Sequence, residues 1–398
     1  VAAVHDEAVA IATELTELRR SIHAEPEIGL DLPRTQRKVL DALEGLPLEL
    51  TLGESLSSVT AVLRGAKPGK TVLLRGDMDA LPVTERTGLP YASTVSGAMH
   101  ACGHDLHTSM LAGAAKLLSA RQAELAGNVI FMFQPGEEGP GGGRIMVEEG
   151  VLDAAGDRPV AAYALHVASG LLPLGMFASR AGTVMAAADT LHVTVHGRGG
   201  HGSQPHHAAD PVPVACEIVL ALQAMVTRQF DVFDPIVVTV GTFHAGTVDN
   251  VIPDDAHLVA TVRSFSPQAR AAVEKAAPRL VRDIATAHGL TATAEFRDGY
   301  PVTVNDADEL AFAEQTVAKV LGDGRYIAAP DPLTGSEDFS YVLEQVPGAF
   351  LMLGACPPDT EPFTAPFNHS AEAIFDDAVL PDGAALYAEL ALRRLAAG

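Results

Sequence analysis

Thiol, imidazole and carboxylate side chains recur in this sequence in short runs, most of them just after a stretch that reads as a strand. Asp77 and Asp79 stand in Gly76-Asp77-Met78-Asp79-Ala80-Leu81-Pro82, and Cys102, His104 and Asp105 in Met99-His100-Ala101-Cys102-Gly103-His104-Asp105. Glu137 and Glu138 follow Gln134-Pro135-Gly136, His166 follows Leu165, and His369 lies in Asn368-His369-Ser370. Singly each run is ordinary. A His at a strand end is more often a satisfied polar residue than a ligand, a Glu-Glu pair is usually a solvated turn, and a Cys before a helix is usually a small core residue. Their joint recurrence is not ordinary, because open α/β sheets gather reactive groups where strands exit at their carboxyl ends. Cys102, His104, Glu138, His166 and His369 make five donors, more than the four of a closed structural zinc site. Five suit two divalent cations, roughly 3.5–4 Å apart in such sites, with open positions. Two cations would depress a thiol's pKa, so Cys102 could serve as a bridging thiolate. The mixed S, N and O donors are compatible with zinc, manganese, nickel or cobalt and do not choose among them, zinc or manganese being the working expectation.

The elements that must position these groups follow from hydrophobic periodicity. Apolar spacing at Val9, Ile11, Leu15, Leu18 and Ile22 predicts a helix over 5–24, and a second helix fits 35–44. Strands are predicted at 58–63, 71–76, 128–133 and 160–165, with helices at 105–120 and 142–150. This alternation predicts a doubly wound, mostly parallel α/β sheet. From 189 the texture changes to strand 190–196, helix 210–229, strands 236–243 and 256–265, helix 267–287 and strand 291–297. The order βαββαβ is the ferredoxin-like α+β plan. The α/β pattern resumes with helices near 307–321 and 337–345, strand 348–353 and helix 381–395. The expected organisation is a discontinuous catalytic domain, 1–188 and 300–398, with an inserted domain at 189–299.

Composition limits the alternatives. With 398 residues, 47% hydrophobic, the chain can bury a sizeable core. Its net charge of −23 argues against nucleic acid and against an anionic membrane surface. Three separated cysteines fit no disulfide framework, and a reducing, cytoplasmic setting is the expectation. The apolar run 212–226 carries Glu217 and Gln223 and reads as a buried helix rather than a membrane span. Asp6, Glu7 and Glu14 interrupt the N-terminal apolar run, so it does not read as a signal peptide. Cys216 and Cys356 are expected in the core.

The runs around Asp77, Cys102 and Glu137, extended by His107, resemble one family. So do Gly199-Gly200-His201-Gly202-Ser203, Asn250-Val251-Ile252-Pro253, Gly335-Ser336-Glu337-Asp338-Phe339 and Asn368-His369. This is the amidohydrolase branch of the aminoacylase–carboxypeptidase metallopeptidases, the branch of hippurate hydrolases and auxin-conjugate hydrolases. The motifs occur in order from 76 to 369. The resemblance implies a two-metal catalytic domain and an inserted lid that mediates a homodimer, with a tetramer as the larger alternative. It implies Cys102, His104, Glu138, His166 and His369 as ligands and Glu137 as general base. It implies that His201 stabilises the oxyanion and that Asn250 and Arg263 help bind the substrate carboxylate. Relatives outside this branch carry His where Asp77 stands and Asp where Cys102 stands.

Asp79 and Asp105 are candidates to orient ligands, the alternative for each being an Asp that stabilises a turn or the helix start. The alternative for Arg263 is a surface ion pair. The activity expected is hydrolysis of a small N-acyl or N-aroyl amino acid to a carboxylic acid and an amino acid. The rivals are a metallocarboxypeptidase or dipeptidase with the same centre, and a binding protein on an inactive scaffold, which the complete ligand and base set argues against.

Overall fold

The computed structural model describes residues 2–397. The described chain divides into two compact units. The first holds residues up to Val184, Val304–Asp331 and the chain from Asp338 on; the second holds Met185–Thr303 and Pro332–Glu337.

The first unit is built on an eight-stranded sheet. Its order is Leu48–Leu52, Val59–Arg64, Ala126–Gln134, Lys67–Asp77, Ala161–Ala168, Gly348–Gly354, Phe177–Ser179 and Tyr326–Ala328. The four central strands run parallel. The first two strands join antiparallel, as does Phe177–Ser179 against Gly348–Gly354. Parallel strands covered on both faces are apolar without alternation, and Ala161–Ala168 is buried at every residue. Helix His104–Ala120 is buried almost all round and packs against helix Leu380–Ala396.

Several elements differ from the sequence expectation. The N-terminal helix is broken at Ile11 into Ala2–Ala10 and Ala12–Ala24, with the Ile11 N–H bonded three residues back to Ala8. The helix expected over 337–345 shortens to Ser340–Leu343. The strand expected over 160–165 continues to Ala168, so His166 lies inside it rather than beyond its end. Edge strand Leu48–Leu52 has no counterpart in the expectation; its exposed Leu-Glu-Leu-Thr-Leu lacks the β-branched run that signals a strand.

The second unit is a four-stranded antiparallel sheet in the order Ile236–Ala245, Asp255–Ser264, Ala187–His196 and Thr291–Tyr300. Leu191, Val193 and Val195 alternate into its core with Val214, Ile218 and Leu222 of helix Pro211–Gln229 and Val273 and Val281 of helix Pro267–Ala287. Asp210 caps the first helix by accepting from the Val212 N–H at 3.0 Å. That helix is long and apolar enough by length and composition to cross a membrane, and a third of its most apolar window is buried. Leu220 and Cys216 lie on its open face. Cys216 is therefore exposed, contrary to the expectation of a core residue, because the 3.6-residue period turns it away from the stripe of Val214, Ile218 and Leu222. Cys356 is buried as expected.

Candidate metal centre

The parallel register brings the chemistry-bearing loops together. Asp77 is paired with Gln134 at the ends of adjacent strands, so the 77–79 and 135–138 segments leave the sheet side by side. His166 stands opposite Met352 on the next pair. Gly103, at φ +81°, opens helix His104–Ala120. A Cβ there would lie 2.3 Å from Val167 Cγ2, so only glycine lets the Cys102–His104 turn approach the strand that carries His166.

Donor triads with ligand atoms mutually within 4.8 Å include Cys102, His104 and His166; Cys102, Glu138 and His369; His104, Glu137 and Glu138; and Asp77, His104 and His107. Cys102 belongs to the first two. Its Sγ is 3.4 Å from His166 Nε2. His166 Nδ1 is placed to donate to the Val167 carbonyl at 2.9 Å, which leaves the Nε2 lone pair facing the thiol. Burial first, then neighbouring His107, pushes His166 well below its ordinary pKa and keeps it neutral. His369 Nε2 lies 3.1 Å from Glu138 Oε1. The Cys102 thiol and then Glu138 raise the His369 pKa to about 10. Burial opposes charge on Glu138, but His369 and His104 hold its carboxyl below the usual range.

The protein itself leaves part of the donor set without partners. Both ring nitrogens of His104 are buried without a hydrogen-bond partner, although such groups are almost always satisfied in native proteins. A thiol, a carboxylate and imidazoles at this spacing fit a divalent metal, which would bind them deprotonated, and these residues would hold it.

Asp79 fixes the carboxylate pair. Its Oδ1 accepts from the Glu137 N–H and its Oδ2 from the Glu138 N–H, each at 3.0 Å. Its Oδ1 also lies 3.4 Å from His104 Nδ1. Asp105 is a different case. Its Oδ2 accepts from Arg19 Nε at 2.7 Å and His23 Nδ1 at 2.8 Å, all three groups buried. Its partners at the first turn of the helix are therefore Arg19 and His23 of Ala12–Ala24, which matches the helix-start alternative of the sequence reading.

A further network sits beneath the donors. Buried Arg75 donates to Asp77 at 2.6 Å, to Gln134 at 2.9 Å and to Asp338 at 2.9 Å. Asp77 pairs with His107 Nδ1 at 2.5 Å, and His107 Nε2 accepts from the Val167 N–H at 2.8 Å. Asn368 Nδ2 donates to the Val167 carbonyl at 3.0 Å. None of these was singled out as a site residue. All but Arg75 lie within the recurring motifs, and Arg75 sits two residues from Asp77 on the same strand face.

Within the second unit, His201 is exposed, and its Nδ1 faces Ser203 Oγ at 3.1 Å. It pairs with Val251, beside Asn250, whose carbonyl accepts from the Gly202 N–H at 2.8 Å. Arg263 is half-buried and bonded to Thr261 Oγ1 at 2.8 Å, not to a surface carboxylate. Strand Asp255–Ser264 separates Arg263 from Asn250, and its eight residue steps span roughly 26 Å. A single second unit therefore does not bring Asn250 and Arg263 onto one small carboxylate.

A sheet that gathers thiol, imidazole and carboxylate donors at its strand ends, in a chain with a second α/β unit inserted, defines a metal-dependent hydrolase. The chain belongs to peptidase family M20/M25/M40, whose model matches residues 73–393. It is an enzyme acting on amides. It is 38% identical over 383 residues to thermostable carboxypeptidase 1 of Saccharolobus solfataricus, covering 95% of each chain. It is 36% identical to N-acetylcysteine deacetylase of Bacillus subtilis, covering 96% of this chain and 97% of that one. A Bacillus subtilis dinuclear metal-binding peptidase of family M20 superposes with a TM-score of 0.83 at 34% identity, covering 97% and 99%.

Proposed function

We propose that this protein is an N-acyl amino acid amidohydrolase with two divalent cations, zinc or manganese, and Glu137 as general base. The observation that carries the reading is the sharing of Cys102 between the His104–His166 and Glu138–His369 triads, with Glu137 beside the second. Bound there, two cations would polarise the amide carbonyl and acidify a water. Glu137, in a buried setting, would accept a proton from the attacking water and return it to the leaving amine. Glu137 and Glu138 stand together in a turn, with carboxylate oxygens within 4.8 Å of each other and of His104, so Glu138 can ligate while Glu137 reaches the water. Asp79 holds both in register through their amides. His201 donates to the oxyanion, and Asn250 and Arg263 recognise the substrate carboxylate, in a homodimer formed through the second unit.

A carboxypeptidase or dipeptidase reading is favoured by the name of one relative, thermostable carboxypeptidase 1. Metal-reconstituted protein offered N-acetyl, N-benzoyl and dipeptide substrates separates the two by product mass. Release of carboxylic acid and free amino acid from the acyl substrates is expected. Turnover of dipeptides alone would overturn the proposal.

A further inference from the structure

Asn368 precedes His369 and spends both ends of its side-chain amide on segments that carry other donors. Its Oδ1 accepts the Ser169 N–H at 3.0 Å. Its Nδ2 donates to the Val167 carbonyl at 3.0 Å. The same carbonyl faces His166 Nδ1 at 2.9 Å, so Asn368 and His166 share one acceptor. The second hydrogen on Nδ2 is left for Cys102, whose carbonyl oxygen lies 3.4 Å and whose Sγ lies 3.6 Å from the nitrogen. The neighbours fix which way the amide faces. Reversed, its NH2 would meet the Ser169 N–H and its oxygen the Val167 carbonyl.

The main chain around this amide is tied down too. The His369 N–H donates to the Ala101 carbonyl at 2.8 Å, and Ser169 Oγ donates to the Pro366 carbonyl at 2.9 Å. His369 stands at φ +73°, in the left-handed region, which a non-glycine residue keeps where its surroundings impose it. Asn368 is half-buried and Ser169 buried. One side chain therefore reaches the turn of Cys102 and the strand of His166 from the loop of His369.

We propose that Asn368 is a positioning residue of the metal centre: it sets these three segments relative to one another and points an amide N–H at the sulfur that two donor triads share. This rests on the two-metal reading with Cys102 as a thiolate ligand. A neutral thiol is a weak acceptor, whereas a hydrogen bond to an ionised group is shorter and stronger. The contact therefore strengthens when Cys102 ligates. An N–H aimed at a ligating sulfur draws off part of its charge, and such bonds around a cysteine ligand tune the metal it holds.

Cobalt(II)-loaded protein tests this, because a thiolate on cobalt absorbs light by sulfur-to-metal charge transfer. Asn368→Asp keeps an acceptor for Ser169 and loses the N–H. Asn368→Leu loses both and adds no charge. In each, the charge-transfer band is expected to move to lower energy. The cobalt dissociation constant of Asn368→Leu is expected to rise by roughly 10- to 100-fold. Ser169→Ala, which keeps the Ser169 N–H, is expected to leave the band in place. A band at the wild-type energy in the Asn368 variants would overturn the proposal, even where urea unfolding shows lost stability, since a merely structural tie changes stability alone. If one variant fails to fold, the other carries the same readout. A wild type that binds cobalt without a band that Cys102→Ser removes would overturn the thiolate reading and the proposal together. A wild-type band that the Asn368 variants leave unmoved overturns the proposal alone.

Discussion

The carboxylate of Asp79 accepts the backbone N–H of Glu137 at 3.0 Å, so the proposed general base hangs from a buried acid on the neighbouring strand end. The same carboxylate takes the next amide, that of Glu138. Base and ligand are therefore both held by main-chain bonds to one side chain.

Replacing Asp79 by Asn keeps its shape but turns one acceptor into a donor facing an N–H. The expected result is a kcat lower by about 10- to 100-fold, the range found for groups that orient a metal site. Asp79→Ala should also destabilise the fold by about 1–3 kcal/mol for each amide left unpaired. Steady-state kinetics and urea unfolding of the two variants check this; wild-type kcat in both would reject the bracket.

Glu137→Gln should lower kcat by about 10²–10⁴-fold, the usual contribution of a general base, with metal content unchanged. Elemental analysis beside the kinetics decides. Activity within tenfold of wild type would show that another group takes the proton.

Cys102→Ser should lower metal content as well as rate, since a hydroxyl ionises far less readily than a thiol and ligands must bind deprotonated. Dialysed protein is expected to retain clearly less metal than wild type. Full occupancy would count against the bridging thiolate.

The Arg19–Asp105–His23 cluster should make the stability of metal-free protein depend on pH in two directions. Burial disfavours the Asp105 charge, but Arg19 and then His23 hold its carboxyl far below the ordinary range. A depressed acid stabilises above its unfolded pKa of about 3.9, and the contribution is lost as pH falls. Burial likewise opposes charge on His23, and Asp105 outweighs it, raising the His23 pKa. That contribution is complete below about pH 6.5 and fades as pH rises through the raised value. The gap in unfolding free energy between wild type and Asp105→Asn should shrink on acidification below about pH 4. The gap to His23→Gln should shrink above about pH 6.5. Arg19→Met, which leaves a buried carboxylate unpaired, should cost about 3–5 kcal/mol near neutrality. Gaps that stay flat with pH would reject this linkage.

His201 can be tested by complementation. A His201→Ala chain keeps the donor cluster and a Glu137→Ala chain keeps the second unit. If His201 acts across a dimer, mixed species should regain activity after subunit exchange. Verified mixed dimers without activity would place it in its own subunit.

The donors could be picked out because thiol, imidazole and carboxylate recur in short runs, most of them after an apolar stretch, and helices such as Pro267–Ala287 and Ala307–Leu321 match the spans expected from the sequence. What it concealed lies in side-chain direction. Asp79 and Asp105 have the same residue type and similar proximity to His104, yet one reaches the Glu137 turn and the other reaches Arg19. Sequence spacing does not state which way a carboxylate turns. Arg75 was hidden for a related reason: a charged residue inside a buried strand looks like an anomaly until Asp77, Gln134 and Asp338 converge on it. Edge strand Leu48–Leu52 escaped although Leu-Glu-Leu-Thr-Leu alternates, because it is five residues long and carries a single β-branched residue.

The open face of helix Pro211–Gln229 has a practical consequence through Cys216. An exposed thiol on an otherwise smooth helical surface can meet its counterpart on another molecule during aerobic storage. Such material would migrate at twice the chain mass without reductant and revert when reduced. Sizing of the native assembly therefore belongs with Cys216→Ser protein, where any pairing that survives is non-covalent. The same thiol offers a single attachment point for a dye or spin label on the second unit, since Cys102 and Cys356 are buried.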